Sequence, residues 1–527
     1  MGSNTSNPQV TISLLPAALV DAFADRRDLV VGQIGVGGNA VDGDLYQDVQ
    51  SLNKTEIKTL FGDDSELTYR IIEWIEANGG YSPLDVISKD PSGTAVKATA
   101  TIVFANNATS AGSLTIQMVD GRQFDVTVSA VALDTPTIIG DALVTAIGNL
   151  TDPPFTAANV TGTVTLTATD GGTIGSFYAI DVAGSVPGVD VTVTGFASGA
   201  NDPVLTGILD PIDGIRYTGI QWPEFWAADL DIVKDELDTR FNASNAILDG
   251  VAFHGRSATF ANAKTAVSTL NSQSLVVGGT NVVTDASHSK AEIVRPADWV
   301  LSEFMGIRAR RNTTDAPIAD QIITTSGLLD AFGGPSLASL PYFNTPLRRT
   351  PVTPPANLFS NQEQLELEEA GYTTYGVNSS QNAMIMGPAV TTYTTDAGGN
   401  VNDSFHYLNF IDTGSACREI FFRTLKSVFS QSRLTEGTLI EGRSMANAES
   451  IKAELLRIYR VLAGLALTQA GREAESYFAQ NTTVTIVLSQ RKATISGPLT
   501  IVTQLGAINY SLHFDFSVGS TGVEITV

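Results

Sequence analysis

Both ends of the chain carry runs in which apolar and polar residues alternate. Alternation with a period of two is typical of a strand that buries one face. The apolar positions of the outermost runs are Val10, Ile12 and Leu14 at the N-terminal end and Val523, Ile525 and Val527 at the C-terminal end. A further alternating run over 510–518 precedes the last one, and Gly519 and Gly522 lie between the two, where they predict a hinge. We therefore expect an N-terminal arm over 1–28 and a C-terminal strand and arm over 506–527, each able to pair with its own chain or with another subunit.

Between the arms, the pattern predicts an α/β (mixed α+β) core that is interrupted by an inserted domain. Strand-like and helix-like periods alternate over 29–91 and again over 203–505, an order that is typical of a layered α/β fold. Residues 92–202 differ in composition, because they are rich in Thr, Val, Ala and Gly and their only basic residues are Lys97 and Arg122. We predict that this segment is a β-rich domain with one helix, inserted into the core.

Local patterns within the inserted segment support that prediction. The pair Asp120-Gly121 stands between two alternating runs and predicts a β-hairpin, since Asp-Gly is favoured in tight hairpin turns. Further along, Ile139, Leu143 and Ile147 follow helical spacing and predict the single helix.

Helices are also predicted in the core, including segments over 225–241 and 258–270. Apolar residues at helical spacing predict a helix over 65–77, and Ser65 is a suitable residue to cap its first turn. Longer helical patterns predict helices over 409–431 and 446–477. The prolines of 312–357 instead predict a long irregular surface segment.

The chain is strongly acidic, with a formal net charge of −24. Such a surface repels the phosphate backbone of nucleic acids and the anionic face of membranes. A basic cluster at Arg308, Arg310 and Arg311 follows a helical pattern, and we interpret it as the solvated end of a helix. No apolar run approaches the length of a membrane span, and no signal peptide is expected. We therefore predict neither direct nucleic-acid binding nor membrane insertion.

The predicted helix over 409–431 carries two further features. Arg418, Arg423 and Lys426 lie on it and could contact an acidic partner, although a structural role in ion pairs is the favoured interpretation. The only cysteine of the chain, Cys417, excludes an intrachain disulfide and is predicted to be a small buried apolar residue.

Recognisable catalytic and metal-binding motifs are absent from the sequence. The four histidines are not at spacings typical of metal ligands. Gly35-x-Gly37-x-x-Ala40 follows a predicted strand, as in dinucleotide-binding loops, but no helical pattern begins after it. Asp42 and Asp44 would also oppose a bound phosphate. We interpret this segment as a flexible loop and predict a protein that is not an enzyme, with no catalytic residues, cofactor or metal.

Short segments in a fixed order along most of the chain resemble one known family. They are Leu60-Phe61-Gly62-Asp63-Asp64-Ser65 before a helix, Phe155-Thr156-Ala157-Ala158 and Val164-Thr165-Leu166-Thr167-Ala168 in the inserted segment, Pro203-Val204-Leu205 at its exit, Glu368-Glu369-Ala370-Gly371-Tyr372, Thr391-Thr392-Tyr393, Asp403 and Tyr407-Leu408-Asn409. In this order, around one inserted domain, they resemble the tail sheath proteins of Mu-like contractile-tailed phages. The N-terminal strand departs from the family by being shorter and flanked by more polar residues.

The resemblance implies a structural subunit of a contractile bacteriophage tail sheath. Such subunits form rings or a helix of identical copies around the tail tube protein, held together by N- and C-terminal arms that add strands to a neighbour's sheet. Contraction of the sheath drives the tube through the host envelope and leads to genome ejection. The implied partners are further copies of the chain, the tail tube protein, and the baseplate and tail terminator proteins. The implied location is the virion, after assembly in the cytoplasm of the host bacterium.

Two other functions remain open at this point. The first is a different self-assembling surface protein, such as an adhesin or a surface array, against which the predicted α/β core and the lack of a signal peptide count. The second is an α/β enzyme with a β accessory domain, which would need a cleft with perturbed titratable groups.

Overall fold

The computed structural model describes most of the chain. The described residues are 9–14, 26–63, 65–241, 248–281, 295–324, 342–353, 358–378, 380–464 and 467–502. They form a mixed α/β core, a β-rich unit and a smaller α+β unit that includes both the first and the last described strands. The predicted fold class, a mixed α/β core with a β-rich addition, is confirmed.

The core is built on a nine-stranded sheet. In spatial order its strands are β15 (Pro346–Leu347), β17 (Met384–Met386), β16 (Tyr372–Val377), β14 (Leu275–Gly279), β13 (Val251–Gly255), β12 (Tyr217–Trp222), β2 (Arg27–Gln33), β4 (Leu84–Lys89) and β3 (Leu45–Tyr46). The strands from β16 to β4 are mutually parallel, whereas the outer strands β3 and β17 run antiparallel to their neighbours. Parallel strands need helical crossovers, which is why helices cover both faces of the sheet.

The sheet separates two apolar clusters, one on each face, which the helices cover. The core helices are α1 (Lys54–Phe61), α2 (Glu66–Asn78), α4 (Leu230–Phe241), α5 (Phe260–Val267), α6 (Ala297–Thr324) and α7 (Asn361–Ala370). One cluster includes Leu237 of α4, and the other includes Trp74 of α2 and Phe304 of α6; all three side chains are fully buried. The central strands are buried along nearly their whole length, as expected for a sheet covered on both sides.

The β-rich unit consists of two antiparallel sheets and one helix. One sheet has the order β10 (Ala179–Ser185), β6 (Gly112–Val119) and β7 (Gln123–Ala130). The other has the order β11 (Asp190–Ala197), β5 (Lys97–Ala105), β9 (Thr163–Gly171) and β8 (Phe155–Val160). Helix α3 (Pro136–Gly148) packs against β7 and β8, and the apolar residues of all these elements form one cluster.

The α+β unit combines the first and the last described strands with three helices. Its helices are α8 (Leu408–Phe429), α9 (Ala448–Gly464) and α10 (Arg472–Asn481), and its sheet has the order β1 (Gln9–Leu14), β21 (Lys492–Pro498) and β20 (Thr483–Val487). A short two-stranded ladder, β18 (Arg433–Leu434) with β19 (Met445–Ala446), lies between α8 and α9 in the chain.

Several element predictions were wrong in detail. The helix expected over 446–477 is two helices. Thr468, between them, forms a β-bridge with Ile501, and Gly471, with φ 118°, precedes α10 in a non-helical conformation. The segment expected to be irregular from 312 onward begins as helix, since α6 continues to Thr324.

The cap predicted for α2 was correct in its position but not in its hydrogen bond. Ser65 is the N-cap residue, but its side chain makes no capping hydrogen bond, and its hydroxyl instead donates to the Gln33 carbonyl oxygen at 3.4 Å. At the other end of the helix, Gly79 adopts a left-handed conformation that suits a helix terminus.

Candidate assembly interface

The predicted N-terminal arm pairs with a strand near the far end of the same chain. β1 runs antiparallel to β21 from Gln9, opposite Pro498, to Leu14, opposite Ala493. Within this register, Val10 stands opposite Gly497 and Ile12 opposite Ile495. The three predicted arm positions are therefore aligned with Ala493, Ile495 and Gly497, which are the alternate, buried positions of β21. Main-chain pairing of this kind depends little on sequence, while the alternate side chains decide the fit.

The opposite edge of this sheet is formed by β20. Its register with β21 runs from Thr483, opposite Ser496, to Val487, opposite Lys492. Within the described part of the chain, no further strand pairs with the other side of β20, so this edge has no strand partner there. Val484 and Ile486 are half-buried against the helices below. An open edge of this kind can accept another strand.

The sheet rests on an apolar platform made by the three helices. Ile451, Leu455, Ile458 and Leu462 of α9 are all buried, as their spacing predicts. The ring of Phe478 on α10 stacks on that of Tyr459 at 4.5 Å between centroids. β21 contributes Ala493 and Ile495 to the same cluster, so the strand that accepts β1 is held firmly by its other contacts.

The N-terminal segment meets the core at a cluster of buried charges. Arg26, directly before β2, forms an ion pair with Glu419 of α8 at 2.8 Å. Arg216 and Arg423 pair with the same carboxylate at 2.9 and 2.8 Å. Burial alone would raise the pKa of Glu419, but its three arginine neighbours outweigh burial and lower that pKa well below its usual range. The root of the arm is thus fixed to α8, which also carries the platform under β21.

A second buried ion pair lies beside the first. Arg308 donates to both carboxylate oxygens of Asp412 at 2.9 and 2.5 Å, and the Tyr342 hydroxyl donates to Asp412 at 2.6 Å. Arg308 is only 2% exposed, so the prediction of a solvated helix end was wrong for this residue. The side chains of Arg310 and Arg311 lie over the rings of Tyr81 and Tyr342, respectively. Of this basic cluster, Arg308 is therefore internal, Arg311 is half-buried and Arg310 is exposed.

The arginines of α8 have structural partners. Arg418 donates to the Phe241 carbonyl oxygen at 2.9 Å and lies 3.8 Å from Asp249, while Arg423 pairs with Glu419. These contacts favour the ion-pair interpretation of this side of α8.

Cys417 on the same helix is fully buried, and burial raises the pKa of its thiol to about 12.

The sequence features that suggested other chemistry take ordinary structural roles. The Gly35–Ala40 segment is a turn and loop without a following helix, and the Asp42 carboxylate accepts hydrogen bonds from Lys89 and from the Asp90 amide. Over the described residues, no group of three or more His, Cys, Asp or Glu side chains is placed to hold a metal ion. Among those residues, no helix is both long and apolar enough to cross a membrane.

The predicted C-terminal arm lies outside the described residues. This applies to Val523, Ile525 and Val527, to the hinge residues Gly519 and Gly522, and to the alternating run over 510–518. Their role in contacts between subunits stays a prediction.

The charge cluster around Glu419 was missed at the level of sequence. Arg26 and Glu419 are separated by 393 positions, and neither residue belongs to a motif. The only local signal was the charge-rich side of the predicted 409–431 helix, which indicated ion pairs without indicating their partners.

Comparison with known proteins gives matches among solved structures only. No protein-family model and no curated protein matches the chain. One similar solved structure is a sheath tail protein from Listeria innocua, with a TM-score of 0.43 and 10% identity over 96% of this chain and 95% of that one. Another is a chain in the baseplate of the anti-feeding prophage, with a TM-score of 0.36 and 13% identity over 59% of this chain and 72% of that one.

Proposed function

We propose that this chain is a structural subunit of a contractile phage tail sheath, and not an enzyme. The observation that carries the proposal is the pairing of β1 with β21, which joins the N-terminal strand to a sheet at the far end of the chain. The family resemblance of the sequence supports the same function. Under this proposal the protein belongs to the virion, is assembled in the host cytoplasm, and binds the tail tube, the baseplate and the tail terminator.

Assembly would proceed by exchange of β1 between subunits. The donated strand of one copy would take the register on another copy's β21 that β1 takes within its own chain. Because such an exchange reproduces the same main-chain hydrogen bonds, it forms few new contacts at the strand itself and has a small net cost. Each apolar side chain that the exchanged strand would bury on its neighbour contributes roughly 1.5–3 kcal/mol before ordering costs. Repetition of this head-to-tail contact gives a ring or a helix.

The free edge of β20 offers a second acceptor site in the same sheet. A strand from the C-terminal arm of a neighbour, with Val523, Ile525 and Val527 as its apolar positions, could pair there. The two arms would then bind opposite edges of one sheet, so each subunit would be tied to two others. Gly519 and Gly522 would supply the change of direction that this arm needs.

Contraction would rearrange rigid cores while the arms keep the subunits connected. The buried clusters and the ion pairs of Glu419 and Asp412 support a core that moves as one piece. In this mechanism the extended sheath is held by a kinetic barrier, and its energy is stored in the packing between subunits. The motion drives the tube through the host envelope, and no nucleotide is required.

Electron microscopy of deletion variants tests this proposal. We expect the intact chain to form rings or tubes, alone or on added tail tube, and a variant lacking residues 1–14 to form none. A variant lacking residues 1–8 is the matched control, because it keeps β1 and should assemble normally. A variant lacking 519–527 tests the second edge in the same way. Assembly of the 1–14 deletion, or discrete monomers of the intact chain even with tail tube present, would contradict the proposal.

A further inference from the structure

The β-rich unit is attached to the core by two chain crossings that lie side by side. The crossing into the unit and the crossing out of it form a bridge, in which Val96 and Ala200 each donate an amide hydrogen bond to the other's carbonyl oxygen, at 2.9 and 3.2 Å. The Asn201 side chain adds a hydrogen bond to the Thr94 carbonyl oxygen at 2.9 Å. Because both covalent connections meet in one place, they define a single pivot and leave the orientation of the unit to other contacts.

Some of those contacts lie next to the pivot. The Gln33 side chain donates to the Gly171 carbonyl oxygen at 3.0 Å, and the Thr173 hydroxyl donates to the Phe225 carbonyl oxygen at 3.1 Å. Gly172, between these two positions, donates its amide to the Val96 carbonyl oxygen. Ile174, beside them, is buried in an apolar cluster of the core. All of these contacts lie close to the pivot, so they act on a short lever.

A separate contact is made by the turn between β6 and β7. The guanidinium group of Arg122 lies between two rings, 4.7 Å from the centre of Tyr69 in the core and 4.9 Å from the centre of Phe124 in its own unit. It also donates a hydrogen bond to the Tyr69 hydroxyl at 3.1 Å. Tyr69 in turn stacks on Trp299 of α6, with 4.8 Å between ring centres and 16° between planes. Stacked aromatic rings and an arginine thus form a continuous column across the boundary between core and unit.

The turn itself is shaped for this contact. Gly121 has φ 113°, and a β-carbon at this position would lie 2.9 Å from atoms of both Pro296 and Trp299, so a side chain would prevent the approach. Asp120 pairs with Arg122 at 2.5 Å, which orients the guanidinium group and balances its charge where it meets the core. Arg122 is also one of only two basic residues in the segment 92–202.

The two attachments hold different layers of the unit. The pivot adjoins β5 and β11 in the four-stranded sheet, whereas the turn at Arg122 belongs to the three-stranded sheet. A contact made by the three-stranded sheet therefore opposes rotation of the unit about the pivot beside the four-stranded sheet. We propose that the Asp120–Arg122 turn is a latch that sets the orientation of the β-rich unit, and that its release lets the unit swing about the Val96–Ala200 pivot. This inference does not depend on the proposed function.

Distance measurements between two spin labels test the latch in the full-length chain. Suitable sites are Thr145→Cys on α3 and Thr239→Cys on α4, because both positions are exposed. Cys417 stays unlabelled because its thiol is fully buried. We expect one narrow distance distribution with Arg122 in place. Arg122→Ala should raise the population outside that peak by about tenfold or more, which corresponds to about 1.4 kcal/mol.

Further variants separate loss of the latch from damage to the unit. Tyr69→Ala removes the same contact from the core side and should broaden the distribution as Arg122→Ala does. Arg122→Lys should give an intermediate result, since lysine keeps the charge but not the planar stacking surface. Gln123→Ala is the matched control, because its side chain is exposed and bonds to Asp125 within the same strand. Circular dichroism confirms that each variant is folded.

Two results would overturn the inference. One is an unchanged narrow distribution in both Arg122→Ala and Tyr69→Ala, which would show that other contacts fix the orientation. The other is a broad distribution with the latch intact, which would show that the contact does not hold the unit.

Discussion

Replacement of Glu419 by glutamine should loosen the junction between the N-terminal segment, α8 and the core. The substitution keeps the size of the side chain but removes the charge that three arginines share. Arg216 is 6% exposed in its side chain and Arg26 is 13% exposed, so neither can be fully solvated when the carboxylate is lost. The repulsion between these two arginines then adds to the free-energy cost of their desolvation, which the charge of Glu419 had offset.

The expected loss of stability follows from the burial of Glu419 and its arginine partners. Removing one partner of a buried ion pair costs about 3–5 kcal/mol. We expect about 3 kcal/mol here, at the lower end of that range, because Arg423 retains 22% exposure and can turn toward water. The effect should also depend on pH. The lowered pKa of Glu419 means that its stabilisation is present above the unfolded pKa of about 4.3 and is lost as the pH falls below that value.

Native-state hydrogen exchange of the α8 amides is a suitable assay, because it reports the local opening free energy in a chain with several cores. Glu454→Gln on α9 is the matched control. Its ion pair with Arg457 lies at the surface, since the Arg457 side chain is 50% exposed, and such a pair should contribute about 0–1 kcal/mol to stability. If Glu419→Gln lowers the opening free energy of α8 no more than Glu454→Gln lowers that of α9, the assignment of Glu419 as an anchor is refuted.

Three other predictions concern separate parts of the molecule. Burial, together with the charge of Glu66, raises the pKa of Asp298 to about 8, so the folded state keeps a proton that the unfolded state loses above about pH 4. Unfolding free energy should therefore fall as the pH rises toward 8, and Asp298→Asn should reduce that slope by up to about 1.4 kcal/mol per pH unit in urea titrations at several pH values. Cys417 should react with a thiol reagent only after denaturant is added, and rapid reaction of the native protein would contradict its burial. Leu143→Ala should destabilise the β-rich unit by about 2–5 kcal/mol in thermal unfolding, whereas Ile138→Ala on the exposed side of the same helix should change it by less than about 0.5 kcal/mol.

Much of the secondary structure could be predicted from the sequence because its cause is local. The hairpin around Asp120-Gly121 follows from two alternating runs and a turn pair, and β6 and β7 pair as those runs predict. The seam of α9 from Ile451 to Leu462 likewise follows directly from the spacing of its apolar residues. In both cases a side chain's environment is set by residues only a few positions away.

The candidate interface depended more on tertiary structure. The alternation of Val10, Ile12 and Leu14 predicted a strand, but not that β21 would be its partner within the chain, because pairing depends on which edges the rest of the fold leaves open. Apolar residues also keep helical spacing through 446–477. The first helix nevertheless ends at Gly464, and Thr468 pairs with Ile501 instead of continuing it.

What the sequence determined by itself was therefore most of the secondary-structure elements, the acidic surface and the β-rich composition of residues 92–202. Tertiary structure alone decided where the charged residues would meet. Arg26 and Glu419 come together across 393 positions, and Arg122 reaches Tyr69 across 53. The physical reason is that periodicity reports only which face of an element is buried, whereas an ion pair or a ring stack forms where two distant elements bring matching groups within a few ångströms.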